Sequence, residues 1–155
     1  MKAPKHDDEQ HALSLDTISK SRDFDNSQST GTHLYVWQVD YENKTKTKNV
    51  QFQHKYLNVD TIIKGLNNLY PEIQLYKIKI SSDTLYTEIK DSYYLGESIG
   101  SYGANAYIAD AVINLTSVEN INYVRFDFED GSHISQGTWS RAQFKDYVVR
   151  QTYNR

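Results

Sequence analysis

The stretch 103–131, GANAYIADAVINLTSVENINYVRFDFEDG, changes its hydrophobic period once, and that change decides the fold. In its first half Ala104, Tyr107, Ile108, Ala111, Val112 and Leu115 recur at the spacing of one helix face. In its second half Val124, Phe126 and Phe128 alternate with Arg125, Asp127 and Glu129, the period of two that a half-buried strand requires. Asp130-Gly131 then supplies a residue pair that tight turns favour, with a short strand expected through His133-Ile134-Ser135.

Upstream, the segment 91–103 carries Gly96, Gly100 and Gly103 and reads as a loop entering that helix. Before it, Leu85, Thr87 and Ile89 alternate with Tyr86, Glu88 and Lys90, and Tyr76, Ile78 and Ile80 alternate with Lys77 and Lys79. Ser81-Ser82-Asp83 joins the two runs, which predicts an antiparallel hairpin with one buried and one wet face. Ile73 to Gly131 thus reads as a strand–strand–helix–strand unit. An earlier helix is marked by Val59, Ile62, Ile63, Leu66, Leu69 and Tyr70, with Asn58 or Asp60 as its N-cap and Pro71 as its stop. Gly65 inside it points to close packing, since glycine there costs about 1 kcal/mol relative to alanine. Leu34–Val39 reads as a first strand, Asn43–Asn49 as a polar turn and Val50–Tyr56 as a less regular strand. At the other end Ser140-Arg141-Ala142-Gln143 resembles a capping box opening a final helix, Trp139–Gln151, with Phe144, Tyr147 and Val148 on it. The expected fold class is α+β: a mixed, largely antiparallel sheet with two helices packed on one face, plus a C-terminal helix.

A chain of 155 residues is one domain's worth. Residues 1–32 are too polar to offset their ordering entropy and are expected to be a disordered tail or tether, leaving 33–155 as the single domain. A formal charge of -3 argues against a general nucleic-acid binder. No apolar run approaches the roughly 18 residues needed to span a bilayer. The absence of cysteine excludes disulfides, thiolate nucleophiles and cysteine-held metals. Thirteen tyrosines against five phenylalanines suit half-exposed sheets and interfaces, because a tyrosine ring is apolar at one end and hydrated at the other.

Gly100-Ser101, the phrase Asn114-Leu115-Thr116 closing a helix, and a strand ending Val124-Arg125-Phe126-Asp127-Phe128-Glu129-Asp130-Gly131 together resemble the GerMN domain family, named from a spore-germination protein. The resemblance covers about His33 to Gly131. It departs from the family at Tyr102–Asn105, where an acidic residue is more usual, and the segment after Gly131 lies outside it. The resemblance implies a non-catalytic α/β module of the cell envelope, similar to ring-building motifs that stack side by side in sporulation and secretion assemblies. It also implies an extracytoplasmic protein, membrane-tethered only through a lipid anchor whose signal segment has been removed. The implied partner is an envelope protein or a second copy, with no nucleic acid and no cofactor.

Within that reading the outward sheet face, with Lys77, Lys79, Arg125 and Asp127 beside Glu88, Lys90 and Glu129, is the expected interface. Tyr93, Tyr94 and Tyr102 on the glycine-rich segment form the expected binding loop, suited to a partner protein or a glycan. The alternative function is a small-ligand or carbohydrate-binding domain using that loop, with a pocket under the terminal helix lined by Tyr107, Trp139 and Tyr147. No catalytic and no metal site is expected. His6-Asp7-Asp8-Glu9-Gln10-His11 lies in a segment with nothing to fix ligands. His33, His54 and His133 have no serine or aspartate at motif spacing, although a triad can assemble in space. Asp127 and Glu129 read as the solvated edge of a strand rather than an acid/base pair. Gly100-Ser101 can hold an anion at a helix start but lacks a fuller phosphate-loop pattern.

Overall fold

The elements run β1 (Trp37–Asp40), β2 (Thr45–Lys48), α1 (Val59–Leu69), β3 (Tyr76–Ser81), β4 (Thr84–Glu88), α2 (Gly100–Leu115), β5 (Tyr123–Asp127), β6 (Gly137–Ser140) and β7 (Val148–Val149). This computed structural model describes residues 34–151; the expected tail over 1–32, the His6–His11 cluster and His33 lie outside the described residues. The fold is α+β with mixed, largely antiparallel pairing, as the periodicities predict. The pairing is divided between two sheets rather than gathered in one: β1-β2-β7 and β3-β4-β5-β6.

In the larger sheet β4 and β5 are parallel, and β3 and β6 flank them antiparallel. Leu85 and Thr87 of β4 and Val124 and Phe126 of β5 are buried against Ile62 and Leu66 of α1 and Ile108, Val112 and Leu115 of α2. Asn58 is the N-cap of α1, its Oδ1 accepting from the Thr61 amide at 2.8 Å. Gly65 does mark a close approach: a Cβ there would lie 2.1 Å from the Leu34 carbonyl oxygen.

Helix α2 is buried on more than the predicted face. Ala104, Tyr107, Ile108, Ala111, Val112 and Leu115 enter the main core, while Ala109 and Ile113 on the other side meet Tyr147 in a second cluster with Trp37, Val39, Tyr41 and Phe144. A helix apolar around most of its circumference belongs between layers, and α2 here has β5 on one side and β1 on the other.

Five expectations are corrected. The short strand expected through His133-Ile134-Ser135 is not formed, and the next strand after β5 is β6. The C-terminal helix is absent. Ser140 and Gln143 do form a capping box, but the helix it opens lasts one turn, Arg141–Phe144. Trp139 lies in β6, packed edge-on against Phe126, and Val148-Val149 forms β7, parallel to β2. Burying Tyr147 on α2 and pairing two β-branched valines outweighs continuing the helix. The supposed polar turn at Asn43–Asn49 contains β2 instead. Thr45 and Thr47 line one face, and Lys46 and Lys48 lay their ammonium groups 4.7 and 5.4 Å from the centre of the Trp37 ring on the other. The expected strand Val50–Tyr56 is a loop with one turn of helix, and Val50 is 81% exposed. The glycine-rich loop is largely helical, with a π-helical turn at Tyr94–Ser98 leading into α2.

Candidate functional site

The outward face of the four-stranded sheet carries three cross-strand rows. Tyr76, Glu88 and Asp127 form one; Lys79, Tyr86, Arg125 and Thr138 the next; Thr84, Tyr123 and Ser140 the third. Lys79, Arg125 and Asp127 therefore share the surface on which the sequence places them. Lys77 does not. Ile78 is an extra residue at a bulge, so the pairing steps from Lys77↔Thr87 to Lys79↔Tyr86 and the strand changes phase. Lys77 points to the helix side and meets Asp60 of α1 at 3.0 Å. The same bulge leaves Tyr76, Ile78 and Ile80 exposed on an edge strand rather than buried together. On the outward face Arg125 pairs with Asp127 at 2.8 Å and reaches Gln136, Lys79 stands over Tyr86, and Lys90 over Tyr76.

The three loop tyrosines separate. Tyr93 and Tyr94 line a groove of about 430 Å³ with Tyr76, Lys90 and Asp91. Tyr93, 68% exposed, also borders an acidic groove with Glu97, Glu129 and Asp130. Below it the Asp130–Gly131 turn is clamped: Ser132 donates to both Glu97 carboxylate oxygens, and a Cβ on Gly131 would lie 2.5 Å from Gly96 Cα. Tyr102 lies in a different place, ring-edge to Tyr41 at 5.1 Å. It lines a groove of about 490 Å³ whose opposite wall is the threonine face of the small sheet, with Gln38, Thr45, Thr47 and Arg150. The pocket expected from Tyr107, Trp139 and Tyr147 is not formed, because these rings are core groups: Tyr107 and Tyr147 are buried in separate clusters and Trp139 packs on Phe126.

A polar network joins α2 to β1 and passes under the Tyr102 groove. Asn114, fully buried, accepts at Oδ1 from the amides of Val36 and Trp37, both at 2.8 Å. Its Nδ2 donates to the Trp37 carbonyl, the Asp110 carbonyl and Asp110 Oδ1 at 3.1, 3.0 and 2.9 Å. The Tyr70 hydroxyl donates to Asp110 Oδ2 at 2.7 Å. Burial pushes the Asp110 carboxyl up to about 6 despite these donors, and burial followed by the Asp110 charge raises Tyr70 and Tyr107 far above the ordinary phenol range. Tyr107, packed edge-on against Tyr70 at 4.9 Å, keeps a buried hydroxyl without a partner among the described residues. Periodicity did not reveal this network, because Asn114 and Asp110 sit off the apolar stripe of α2; the signal was two polar residues four apart in an otherwise apolar helix.

Of the histidines, His54 lies in the turn after β2, and His133 Nδ1 is 3.2 Å from Ser101 Oγ near the start of α2. This Ser–His pair is exposed, Glu97 beside it is already held by Ser132, and none of the grooves described above is lined by Ser101 or His133. Asp127 is engaged by Arg125 rather than by Glu129. Among the described residues no group of histidines and carboxylates is arranged to hold a metal, and no helix is long and apolar enough to cross a membrane. In comparisons with protein-family models, curated proteins and solved structures, no match is found.

Proposed function

We propose that this chain is a non-catalytic assembly module of the cell envelope, similar to a GerMN domain, which self-associates through the outward face of its four-stranded sheet. The observation that carries the reading is the arrangement of charge on that face. A basic row holding Lys79 and Arg125 lies beside an acidic row holding Glu88 and Asp127, with Tyr86 in the first, Tyr76 in the second and Tyr123 in the row beyond the basic one. The rows are about 7 Å apart, two residues along a strand. A twofold axis between them sets each copy's basic row on the other's acidic row, as an isologous interface requires. The tyrosines supply the apolar contact area. The family reading is supported by the phrase Asn114-Leu115-Thr116 at the end of α2, where Thr116 Oγ1 donates to the Val112 carbonyl at 2.7 Å, and by β5 running to the clamped Asp130–Gly131 turn. The non-catalytic reading is supported by the use made of the strongly perturbed Asp110, whose carboxylate accepts from Tyr70 and Asn114 in holding the layers together.

Light scattering over a concentration series, with a charge-swap pair, tests this reading. Lys79→Glu/Arg125→Glu and Glu88→Lys/Asp127→Lys are each expected to stay monomeric where the unaltered chain associates, and to associate when mixed. A chain that is monomeric throughout the series sinks the reading, as does a double variant that associates like the parent.

A further inference from the structure

The groove between the small sheet and the start of α2 has two unlike walls. One is the polar face of β1 and β2, where Gln38 pairs with Thr47 and Asp40 with Thr45 in register, extended by Arg150 just beyond β7. The other is aromatic: Tyr41 and Tyr102 in edge contact, with Tyr70 beyond them. Among the described residues the Gln38 amide, the Thr45 and Thr47 hydroxyls and the Arg150 guanidinium make no side-chain hydrogen bond. Asp40 differs, because it is fixed by the Asn43 amide at 3.0 Å and the Asn43 side chain at 2.8 Å. A volume of about 490 Å³ falls within the ~300–1,000 Å³ of small-ligand clefts.

We infer that this groove binds a neutral saccharide. A sugar ring has an apolar C–H face that packs on tyrosine and a rim of hydroxyls that both donate and accept. The groove offers the matching pair: rings on one wall and a row of amide, hydroxyl, carboxylate and guanidinium groups on the other. The charges of Asp40 and Arg150 offset each other, so a polyanion such as a nucleic acid gains nothing from entering. The site is legible only in three dimensions, since its residues come from β1, the following turn, β2, the end of α1, the start of α2 and the end of β7. It is independent of the sheet-face reading, because the larger sheet contributes no residue to it.

The test is a titration of the isotope-labelled full chain with chitotetraose, cellotetraose and maltotetraose, each to about 10 mM, a range that captures even millimolar binding. One of the three is expected to give saturable shifts at the Gln38, Thr45 and Thr47 amides. Tyr102→Ala and Arg150→Ala are each expected to weaken the binding about tenfold or more, the loss of one well-placed contact. Tyr93→Ala, in the other groove, and Lys79→Glu/Arg125→Glu, on the sheet face, leave it unchanged. The proposal is overturned by no saturable shift with any of the three sugars, by shifts centred on Tyr93 and Tyr94, or by a Tyr102→Ala chain that binds like the parent.

Discussion

Replacing Asn114 with alanine tests whether one side chain holds the small sheet to the body of the protein. The change strands the amides of Val36 and Trp37, which donate to Asn114 Oδ1. Each buried donor left without a partner costs about 1–3 kcal/mol. The Trp37 carbonyl and Asp110 lose a donor as well, at about 1 kcal/mol for each ordinary bond. Alanine returns about half a kcal/mol of helix propensity, and water reaches the half-buried Trp37 side. The expected loss is about 3–5 kcal/mol, a large part of the ~5–15 kcal/mol that stabilises an ordinary domain. Urea unfolding followed by tryptophan emission reads it directly, because Trp37 sits at the substituted contact and Trp139 in the other sheet. The midpoint should fall with the slope unchanged. A loss under about 1 kcal/mol would refute the reasoning, since it would mean that solvent satisfies the β1 edge as well as Asn114 does.

Asp110 predicts a pH effect of definite sign. Its carboxyl is raised to about 6 in the folded chain, above the unfolded value near 3.9, so the folded state holds this proton more tightly. The group's contribution should fall by about 3 kcal/mol between about pH 4 and pH 6 and stay flat above, and Asp110→Asn should remove that slope. Parallel slopes for parent and variant in pH-dependent urea unfolding would count against it. Gly65→Ala should lower the melting temperature despite better helix propensity, by overpacking worth about 1–3 kcal/mol against the Leu34 backbone. An unchanged or higher melting temperature would contradict the close approach.

The parts readable in advance are those where a single face meets a single core. The unit from Ile73 to Gly131 has its predicted order because Leu85, Thr87, Val124 and Phe126 and one stripe of α2 all bury against the same cluster. Reading failed where a second layer reuses the same element. Ala109, Ile113 and Asn114 lie outside the stripe that defines α2, and they recruit a small sheet whose strands are too short to carry a period. The alternating Thr-Lys run passes for a turn until Trp37 gives its lysine stems something to cover. On β3 one bulged residue defeats perfect alternation, and no local property of Tyr-Lys-Ile-Lys-Ile announces it. The candidate sites divide in the same way. Lys79, Arg125 and Asp127 follow from strand parity alone, whereas the Tyr102 groove needs four distant stretches of chain brought together: the β1–β2 hairpin, Tyr70, the start of α2 and Arg150.

The pairing of β7 with β2 has a consequence for how the chain is made. Thr45 and Lys46 pair with Val148 and Val149, so the third strand of the small sheet leaves the ribosome about a hundred residues after the second. Until then the carbonyls of Lys44 and Lys46 lack the Val148 and Arg150 amides, and the polar wall of the groove lacks Arg150. A nascent chain halted before Arg141 holds every residue of α1, β3 to β5 and α2 but lacks Tyr147 and the β7 strand that closes the small sheet. The groove is therefore complete only in chains that extend through Arg150, and its polar wall joins strands made early to a residue made about a hundred positions later.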